Sequence, residues 1–318
     1  MAKGAAVKSR QELMPEKGMR VRNWKTSMTL VVLMLPAMIL LAIFNYGPLF
    51  GLLMAFQKFT PFKGVFGSPW VGFDNFVWFL TDAKFWQVFR NTLIISFYDL
   101  IFGFTAPIIF AILANEIRNM AFKRVMQTIS YLPHFLSWVV VGGLVRSLLS
   151  PTSGLVNNVL HSVFGMEPIY FITEQSMFRT ILVVTDIWMG VGWGSILYFS
   201  VISGIDTQLY EAAMIDGAGR LKQTWHITLK SIMPFVVLLV ILNMGNILNA
   251  GFDQVYNLYS ASVYETGDII DTYVYRVGLN SMQYSFGTAI GLMKSVIAFI
   301  LMMSANALAK KFTDSKIF

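Results

Sequence analysis

The sequence contains no cysteine, only three histidines and few charged residues, which make up 13% of its 318 residues. Without cysteine, disulfides and thiolate metal sites are excluded. The histidines are scattered, at positions 134, 161 and 226, so we expect no metal site. The sequence lacks a GxxxxGK[ST] phosphate loop, and no Ser-His-Asp or paired-carboxylate arrangement stands out. We therefore expect a chain that is not an enzyme and does not itself hydrolyse ATP.

Hydrophobic residues, in contrast, make up 56% of the chain, and the mean hydropathy is +0.61. Apolar runs of about 20 residues or more are typical of transmembrane helices. The first run is too long for the apolar part of a cleaved signal peptide. The sequence therefore predicts an all-α membrane protein with six transmembrane helices, at about 28–56, 91–115, 125–149, 179–203, 231–252 and 285–309.

The basic residues are distributed unevenly between the two sides of this arrangement. An even number of spans places both termini on one side, which carries sixteen Lys and Arg residues against seven on the other. The positive-inside rule then predicts cytoplasmic termini. The net charge of +7 is thus explained mostly by topology, with some attraction to anionic lipid, and nucleic-acid binding is not expected.

Polar side chains inside the predicted spans are candidates for function because they are costly in a membrane. At 100° per residue, a continuous fifth span places Asn243, Asn246, Asn249 and Asp253 on about one third of its circumference. This stripe is predicted to line a water-filled substrate pathway. The alternative is hydrogen bonding between helices, since Asn also holds spans together.

A second polar face is predicted on the fourth span, where Asp186, Gly190 and Trp193 lie on one side. A carboxylate beside an aromatic ring is typical of sugar-binding sites, because the carboxylate binds hydroxyls while the ring packs on the apolar face of the sugar. Gly190 and Gly194 are spaced for close helix packing. Asp99 and Lys294, on the second and sixth spans, are predicted to pair structurally with each other.

A short polar island separates the fourth and fifth spans, and its pattern predicts a helix, a turn and a second helix. Glu211, Ala212 and Ala213 are interpreted as a helix start, and Gly217 and Gly219 as the turn. Such a small unit cannot fold alone, so it is expected to rest on something else. An ordinary cytoplasmic loop is the alternative.

The run EAAMIDGAGRLKQTWHITLKSIMP resembles the EAA loop of permease subunits in binding-protein-dependent ABC importers. Lys230 stands where that family usually has proline. Segments 44–76, 252–279 and 287–311 resemble the oligosaccharide and polysaccharide-fragment branch of these permeases, so the similarity covers nearly the whole chain. The residues that match the EAA motif are Glu211, Ala212, Ala213, Asp216, Gly217, Ala218, Ile227, Leu229 and Pro234. The ATPase-coupling residues that the resemblance implies are the first six of these, together with Gly219.

This resemblance implies a type I importer permease fold with a cytoplasmic coupling helix, in a bacterial inner membrane. The implied domains are a cytoplasmic segment (1–26), a permease domain (27–309) with its EAA loop at 204–230, and a cytoplasmic tail (310–318). The implied partners are a second homologous permease in a heterodimer, two ATPase subunits that hold ATP and Mg, and an extracytoplasmic solute-binding protein. No cofactor is expected on this chain. The implied cargo is an oligosaccharide, including uronate-containing fragments of alginate or pectin.

Other classes of membrane protein also have six spans with polar groups inside them. A secondary transporter or channel subunit is the alternative, but it should show inverted repeats or half-helices, and the sequence has no clear internal duplication. A membrane enzyme is disfavoured because no catalytic constellation supports it.

Overall fold

A computed structural model describes residues 24–312 of the chain. Most of the predicted segment 1–26 and of the tail 310–318 therefore lies outside the described residues. The chain divides into two compact units between Gly51 and Leu52. The first unit contains helix α1, Trp24–Leu41, which continues through a π-helical turn, Ala42–Tyr46, into a 3-10 segment that begins at Gly47.

The second unit is helical, and its described part contains no β-strand beyond an isolated bridge between Gln57 and Trp70. Its short helices are α2 (Gly64–Gly67), α3 (Asp74–Thr81), α8 (Leu155–Phe164), α10 (Thr207–Ile215), α11 (Arg220–Gln223), α13 (Phe252–Leu258), α14 (Tyr264–Gly267) and α15 (Ile270–Val274). Its longer helices are α4 (Ala83–Tyr98), α5 (Thr105–Asn115), α6 (Met120–Tyr131), α7 (Trp138–Leu148), α9 (Gln175–Ser203), α12 (Leu229–Met244) and α16 (Tyr284–Phe312).

Five continuous helical segments among the described residues are long and apolar enough to cross a membrane, and a bent pair makes a sixth. These are Met28–Phe56, Ala83–Asn115, Gln175–Ser203, Arg220–Met244 and Tyr284–Leu308, with Met120–Phe135 and Trp138–Leu148 as the bent pair. The all-α membrane class predicted from the sequence is confirmed.

The third span is not the continuous helix predicted over 125–149, because its two halves meet at an angle of 104°. Pro133 lies in a 3-10 turn, Leu132–Phe135, where the missing N–H of proline disfavours a continuing α-helix. Ser137 then starts α7, and its hydroxyl accepts a hydrogen bond from the backbone N–H of Val140 at 3.4 Å. The sequence prediction of one span over 125–149 included no break at Pro133 and was wrong on this point.

The fifth span also differs from its predicted range of 231–252. Its helical segment already begins at Arg220 and ends at Met244. Ala250 and Gly251 then take positive φ angles of 39° and 66°, which turn the chain before α13 begins at Phe252. The asparagine stripe was therefore predicted on a continuous helix that does not exist.

Helix α9 lies at the centre of the second unit and packs closely against α5 and α6. A methyl group added at Gly194 would lie 2.9 Å from Cγ of Pro107 on α5, which confirms close packing at one of the two predicted glycines. Gly190 instead has nothing within 4 Å of such a methyl group. Gly192 was not predicted as a contact, yet it lies against the backbone of Ser130 on α6.

The segment between α13 and α16 is held by a buried ion pair. Asp268 is fully buried, and its carboxylate accepts hydrogen bonds from Arg276, at 2.5 and 3.2 Å, and from the Thr272 hydroxyl at 2.8 Å. Arg276 also lies 4.4 Å from the centre of the Tyr264 ring. Burial lowers the pKa of Arg276, but the Asp268 carboxylate outweighs it and leaves that pKa above its ordinary value. This ion pair fixes the chain that leads into α16.

Candidate functional site: an exposed loop and an intramembrane cavity

The loop predicted to couple to an ATPase forms a helix, a turn and a second helix. Helix α10 begins at Thr207, where the carboxylate of Asp206 accepts a hydrogen bond from the backbone N–H of Gln208 at 2.9 Å. Glu211 therefore lies in the middle of the helix, and the interpretation of Glu211, Ala212 and Ala213 as a helix start was wrong. The Asp206 cap, not the EAA triplet, sets where this helix begins.

Gly217 ends α10 in a Schellman motif. The backbone N–H of Ala218 bonds to the carbonyl of Ala213 at 2.8 Å, and that of Gly217 bonds to Met214 at 3.1 Å. Gly217 has a φ of 74°, which is the left-handed conformation that glycine adopts without strain. Gly219 has an ordinary φ of −69° and precedes α11. Gly217 is therefore the glycine on which the turn depends.

Two polar contacts hold the loop together, and a third joins it to the rest of the unit. The hydroxyls of Tyr210 and Thr228 lie 2.9 Å apart, and the buried Gln223 side chain donates to the carbonyl of Ala218 at 2.8 Å. Arg220 lies 3.2 Å from the carboxylate of Glu116 at the end of α5. The chain runs directly from Thr228 into α12, and the Arg220–Glu116 contact also ties the loop to α5, so that the loop and these helices can move together.

Large apolar side chains of the loop are nevertheless exposed. Ile215 and Leu221, on either side of the glycine turn, are 87% and 86% exposed. Leu209, Met214 and Trp225 are also exposed. An exposed apolar surface with polar groups around it is typical of a protein contact site.

A cavity of about 430 Å³ lies between α4, α5, α9 and the end of α12. Of the predicted pathway residues it brings together Asp186, Trp193, Asn243, Asn246 and Asn249, together with Gly190. Asp253, on α13, is exposed and does not line it. The three asparagines reach one cavity although their helix ends at Met244, because the 3-10 turn that follows carries Asn249 back to it.

Trp193 stacks on His134 at the wall of this cavity, with ring centres 4.6 Å apart and an angle of 5° between the planes. His134 belongs to the 3-10 turn that breaks the third span. Sequence reasoning did not single out His134 for this place, because its position depends on the unexpected break. The two rings give the cavity a flat aromatic face.

Asp99 and Asp186 lie close together at the same cavity, where a carboxyl oxygen of each lies beside Gly103. The prediction that Asp99 pairs with Lys294 was wrong. Lys294 instead binds both oxygens of Asp271, at 2.6 and 2.7 Å. Asp271 was not singled out from the sequence, because it lies in a loop region that carries several acidic residues.

The described residues contain no group of three or more His, Asp or Glu side chains that could hold a metal ion. The site thus consists of a polar cavity with an aromatic wall, and of an exposed helix-turn-helix on one loop. Membrane spans that enclose a polar cavity and carry an exposed helix-turn-helix on one loop are typical of a transport permease subunit. What family it belongs to follows from comparison with known proteins.

Residues 103–314 match the family of binding-protein-dependent transport system inner membrane components. The chain belongs to this family and is a permease subunit of an ABC importer. It is 41% identical to Protein LplB of Bacillus subtilis (strain 168), over 91% of each chain. It is 43% identical to the polygalacturonan/rhamnogalacturonan transport system permease protein YteP of the same strain, over 91% of this chain and 90% of that one.

Solved structures show the same fold. One is a bacterial ABC transporter involved in the import of the acidic polysaccharide alginate, with a TM-score of 0.84 and 39% identity, covering 91% of this chain and 97% of that one. Another is an alginate ABC transporter in complex with an alginate pentasaccharide-bound periplasmic protein, with a TM-score of 0.85 and 38% identity, covering 92% and 98%. The predicted resemblance is thereby confirmed, and the secondary transporter, channel and membrane enzyme alternatives are set aside.

Proposed function

We propose that this chain forms part of the pathway through which an ATP-driven importer moves oligosaccharides across the bacterial inner membrane. The observation that carries the proposal is the cavity between the spans, whose wall combines carboxyl and amide groups with a stacked aromatic face. Sugar binding uses both the polar groups and the aromatic face, since sugar hydroxyls form hydrogen bonds while the C–H faces pack on rings.

The pathway residues of this proposal are Asp186, Trp193, Asn243, Asn246 and Asn249. The asparagine amides and the carboxyl bind hydroxyls, and the indole covers one face of a sugar ring. Asp253 does not line the cavity and has no role in this proposal.

The cargo class is an oligosaccharide of the kind released from plant or algal polysaccharides, including uronate-containing ones. The relatives support this class, since YteP is named for polygalacturonan and rhamnogalacturonan and the structural neighbours import alginate. A solute-binding protein delivers the sugar to the outer mouth of the pathway. A second, homologous permease completes the pathway as a heterodimer.

ATP and Mg bind to two partner ATPase subunits, and the EAA loop couples them to the spans. Helix α10 lies in a cleft of the ATPase, where the exposed Ile215 and Leu221 supply apolar contact. Glu211, Ala212 and Ala213 face the cleft, while Asp216, Gly217, Ala218 and Gly219 fix the turn. Closure of the ATPase dimer on ATP moves the loop, and the spans rock as rigid bodies between outward-open and inward-open states.

The loop and both termini lie in the cytoplasm in this proposal, because their side carries sixteen basic residues against seven on the other. This places segment 1–26 and the tail 310–318 beside the ATPases, on either side of the permease domain 27–309. Basic residues of these segments also attract anionic lipid.

The test is the vanadate-sensitive ATPase activity of the reconstituted complex, with and without loaded binding protein, across neutral and uronate oligosaccharides. We expect stimulation by one class of sugar, which also identifies the cargo. Uptake driven by an ion gradient, with no ATPase partner in the purified complex, would overturn the proposal.

A further inference from the structure

A second cavity lies beside the central one, between the end of α12 and helix α16. Its volume is about 300 Å³, and its polar lining consists of Lys294 and Ser295 of α16 together with Asn246 and Asn249. The two asparagines also line the central cavity, so they belong to a wall that both spaces share. This second space, which we call the lysine cavity, therefore adjoins the proposed sugar pathway.

The packing of α16 places Lys294. Gly287 lies seven residues before it, on the same face of the helix. A methyl group added at Gly287 would lie 3.1 Å from Cα of Gly278, so α16 closely approaches the π-helical turn Tyr275–Asn280. That turn continues α15, which carries Asp271. The close approach brings the lysine ammonium to the aspartate carboxylate.

Asp271 is itself held in place by its neighbours on α15. The backbone N–H of Ile270 donates to the buried Thr92 hydroxyl at 2.9 Å, and the buried Thr272 hydroxyl donates to the Asp268 carboxylate at 2.8 Å. The residues on both sides of Asp271 are thus fixed by buried partners. A carboxylate anchored in this way also fixes the ammonium that it binds, which prepares that group for a ligand.

Lys294 keeps one hydrogen-bond donor beyond this ion pair. Its ammonium has three N–H groups, of which two are used by the oxygens of Asp271, at 2.6 and 2.7 Å. Since the side chain lines the cavity and is 15% exposed, the third N–H is left for a ligand there. Asn249 donates to the amide oxygen of Asn246 at 3.3 Å, which leaves the amide nitrogen of Asn246 to donate elsewhere. An ammonium and an amide are therefore available in one cavity.

The two cavities differ in charge. Among the described residues that line either of them, Lys294 is the only lysine or arginine. The central cavity has Asp99 and Asp186 instead, whose carboxyl oxygens accept hydrogen bonds from hydroxyls but offer no counter-ion to an anion. A uronate ring carries a carboxylate besides its hydroxyls. Such a ring is complementary to both cavities when its carboxylate points into the lysine cavity.

We propose that Lys294 determines specificity for uronate cargo: its ammonium binds the carboxylate of one sugar unit, while Asn246 and Asn249 hold the hydroxyls of the same unit. Asp271 is a positioning residue that shares the ammonium with the sugar. The carboxylate thus joins a compensated cation, and its binding stays weak enough for the cargo to move on. The inference rests on the proposed oligosaccharide function and adds the residue that recognises the charge of a uronate.

The two partners of the ion pair are expected to affect this recognition in opposite directions. Lys294→Met/Asp271→Leu removes the ammonium without leaving a bare carboxylate, and it should weaken selection for an acidic sugar. Asp271→Asn removes the competing carboxylate and leaves the ammonium to the sugar, so it should strengthen that selection. A purely structural role would instead impair acidic and neutral sugars alike in both variants.

The first measurement is uptake of trigalacturonate and of its methyl ester by the complete reconstituted transporter with its binding protein. The two probes differ in charge at the same length and stereochemistry, and selection by the binding protein is common to all variants. We expect the acid-to-ester ratio to fall about tenfold in Lys294→Met/Asp271→Leu, equivalent to about 1.4 kcal/mol. In Asp271→Asn it should rise about threefold, because the ammonium then has no counter-ion within the protein.

Lys58→Met is the matched control, because Lys58 is an exposed lysine that lines neither cavity, and it should leave the ratio unchanged. A ratio unchanged in Lys294→Met/Asp271→Leu would overturn the proposal. A ratio that falls both there and in Asp271→Asn would assign the ion pair to structure alone and would overturn it as well. Should the double variant not assemble, Lys294→Gln keeps an amide donor for Asp271 and should show the same fall.

The second measurement is the thermal shift of the purified complex without its binding protein, which reports binding of each probe and needs no transport. We expect trigalacturonate to raise the apparent melting temperature of wild type more than its methyl ester does, and this difference to vanish in Lys294→Met/Asp271→Leu. Equal shifts in wild type, or a difference that persists in the double variant, would overturn the proposal. If wild type takes up neither probe but shows the expected difference, the transport of galacturonides fails while the lysine site stands.

Discussion

Lys294 and Asp271 bind each other through both carboxylate oxygens, with Nζ 2.6 Å from Oδ1 and 2.7 Å from Oδ2. The pair joins α16 to α15, and both side chains are mostly buried, at 15% and 25% exposure. It separates the one lysine of the predicted spans from Asp99 and Asp186 at the central cavity. Lys294 thus has its own counter-ion and does not pair with the two aspartates at the cavity.

Removing one partner of this ion pair is expected to destabilise the protein. Lys294→Met leaves the Asp271 carboxylate without its cation, and we expect a loss of about 3 kcal/mol, since an uncompensated buried charge is costly. The apparent melting temperature of the purified complex measures this. The double variant Lys294→Met/Asp271→Leu should recover most of the loss; a double variant as unstable as the single one would contradict the explanation.

The glycine turn of the EAA loop offers a matched comparison of two exposed positions. An alanine meets nothing within 4 Å at either Gly217 or Gly219, but only Gly217 has a positive φ. Gly217→Ala is therefore expected to strain the turn by about 1 kcal/mol and to lower sugar-stimulated ATP hydrolysis, with normal membrane insertion. Gly219→Ala should behave like wild type. Equal activity in the two variants would remove the special role of Gly217.

Close contact between α9 and α6 depends on the absence of a side chain at Gly192. An added methyl group there would collide with the backbone of Ser130, which cannot yield as a flexible side chain can. We expect Gly192→Ala to cost about 1–3 kcal/mol and to lower the apparent melting temperature. Gly143→Ala is the control, because the same methyl group on α7 meets nothing within 4 Å. A stable Gly192→Ala variant would show that the two helices can separate at little cost.

The asparagine wall of the cavity is tested by Asn246→Leu. If the amide binds sugar hydroxyls, its loss should reduce uptake about tenfold, the equivalent of one hydrogen bond of about 1.4 kcal/mol, while the ATPase subunits still co-purify. Asn158→Leu makes the same chemical change at an exposed position of α8, away from the cavity, and should not affect uptake. Unchanged sugar uptake in Asn246→Leu would assign this residue to helix packing.

The sequence predicted the parts of this fold that depend on composition and local chemistry. Long apolar runs indicate spans whatever their neighbours are, and the EAA motif locates the loop because its glycine turn is encoded within a few residues. The start of α10 was misplaced even so, since the Asp206 cap precedes the motif by five positions and was not recognised as a helix start.

Only some of the residues that line the central cavity could be predicted from the sequence. Asp186 and Trp193 share a face of α9, which helical periodicity reveals. The asparagines were predicted on a continuous helix, yet they reach the cavity through a break at Met244 and the left-handed residues Ala250 and Gly251. His134 reaches Trp193 only because the third span bends by 104°.

The sequence by itself determined the membrane class, the approximate positions of the spans, the EAA loop and the family, because each of these follows from residues close together in the chain. Only the tertiary structure decided which charged groups meet. Asp99 lies beside Asp186, and Lys294 pairs with Asp271, since the neighbours of a group inside a span are set by how helices pack. Helix packing depends on small residues such as Gly103, Gly192 and Gly194, whose close approaches no local pattern specifies.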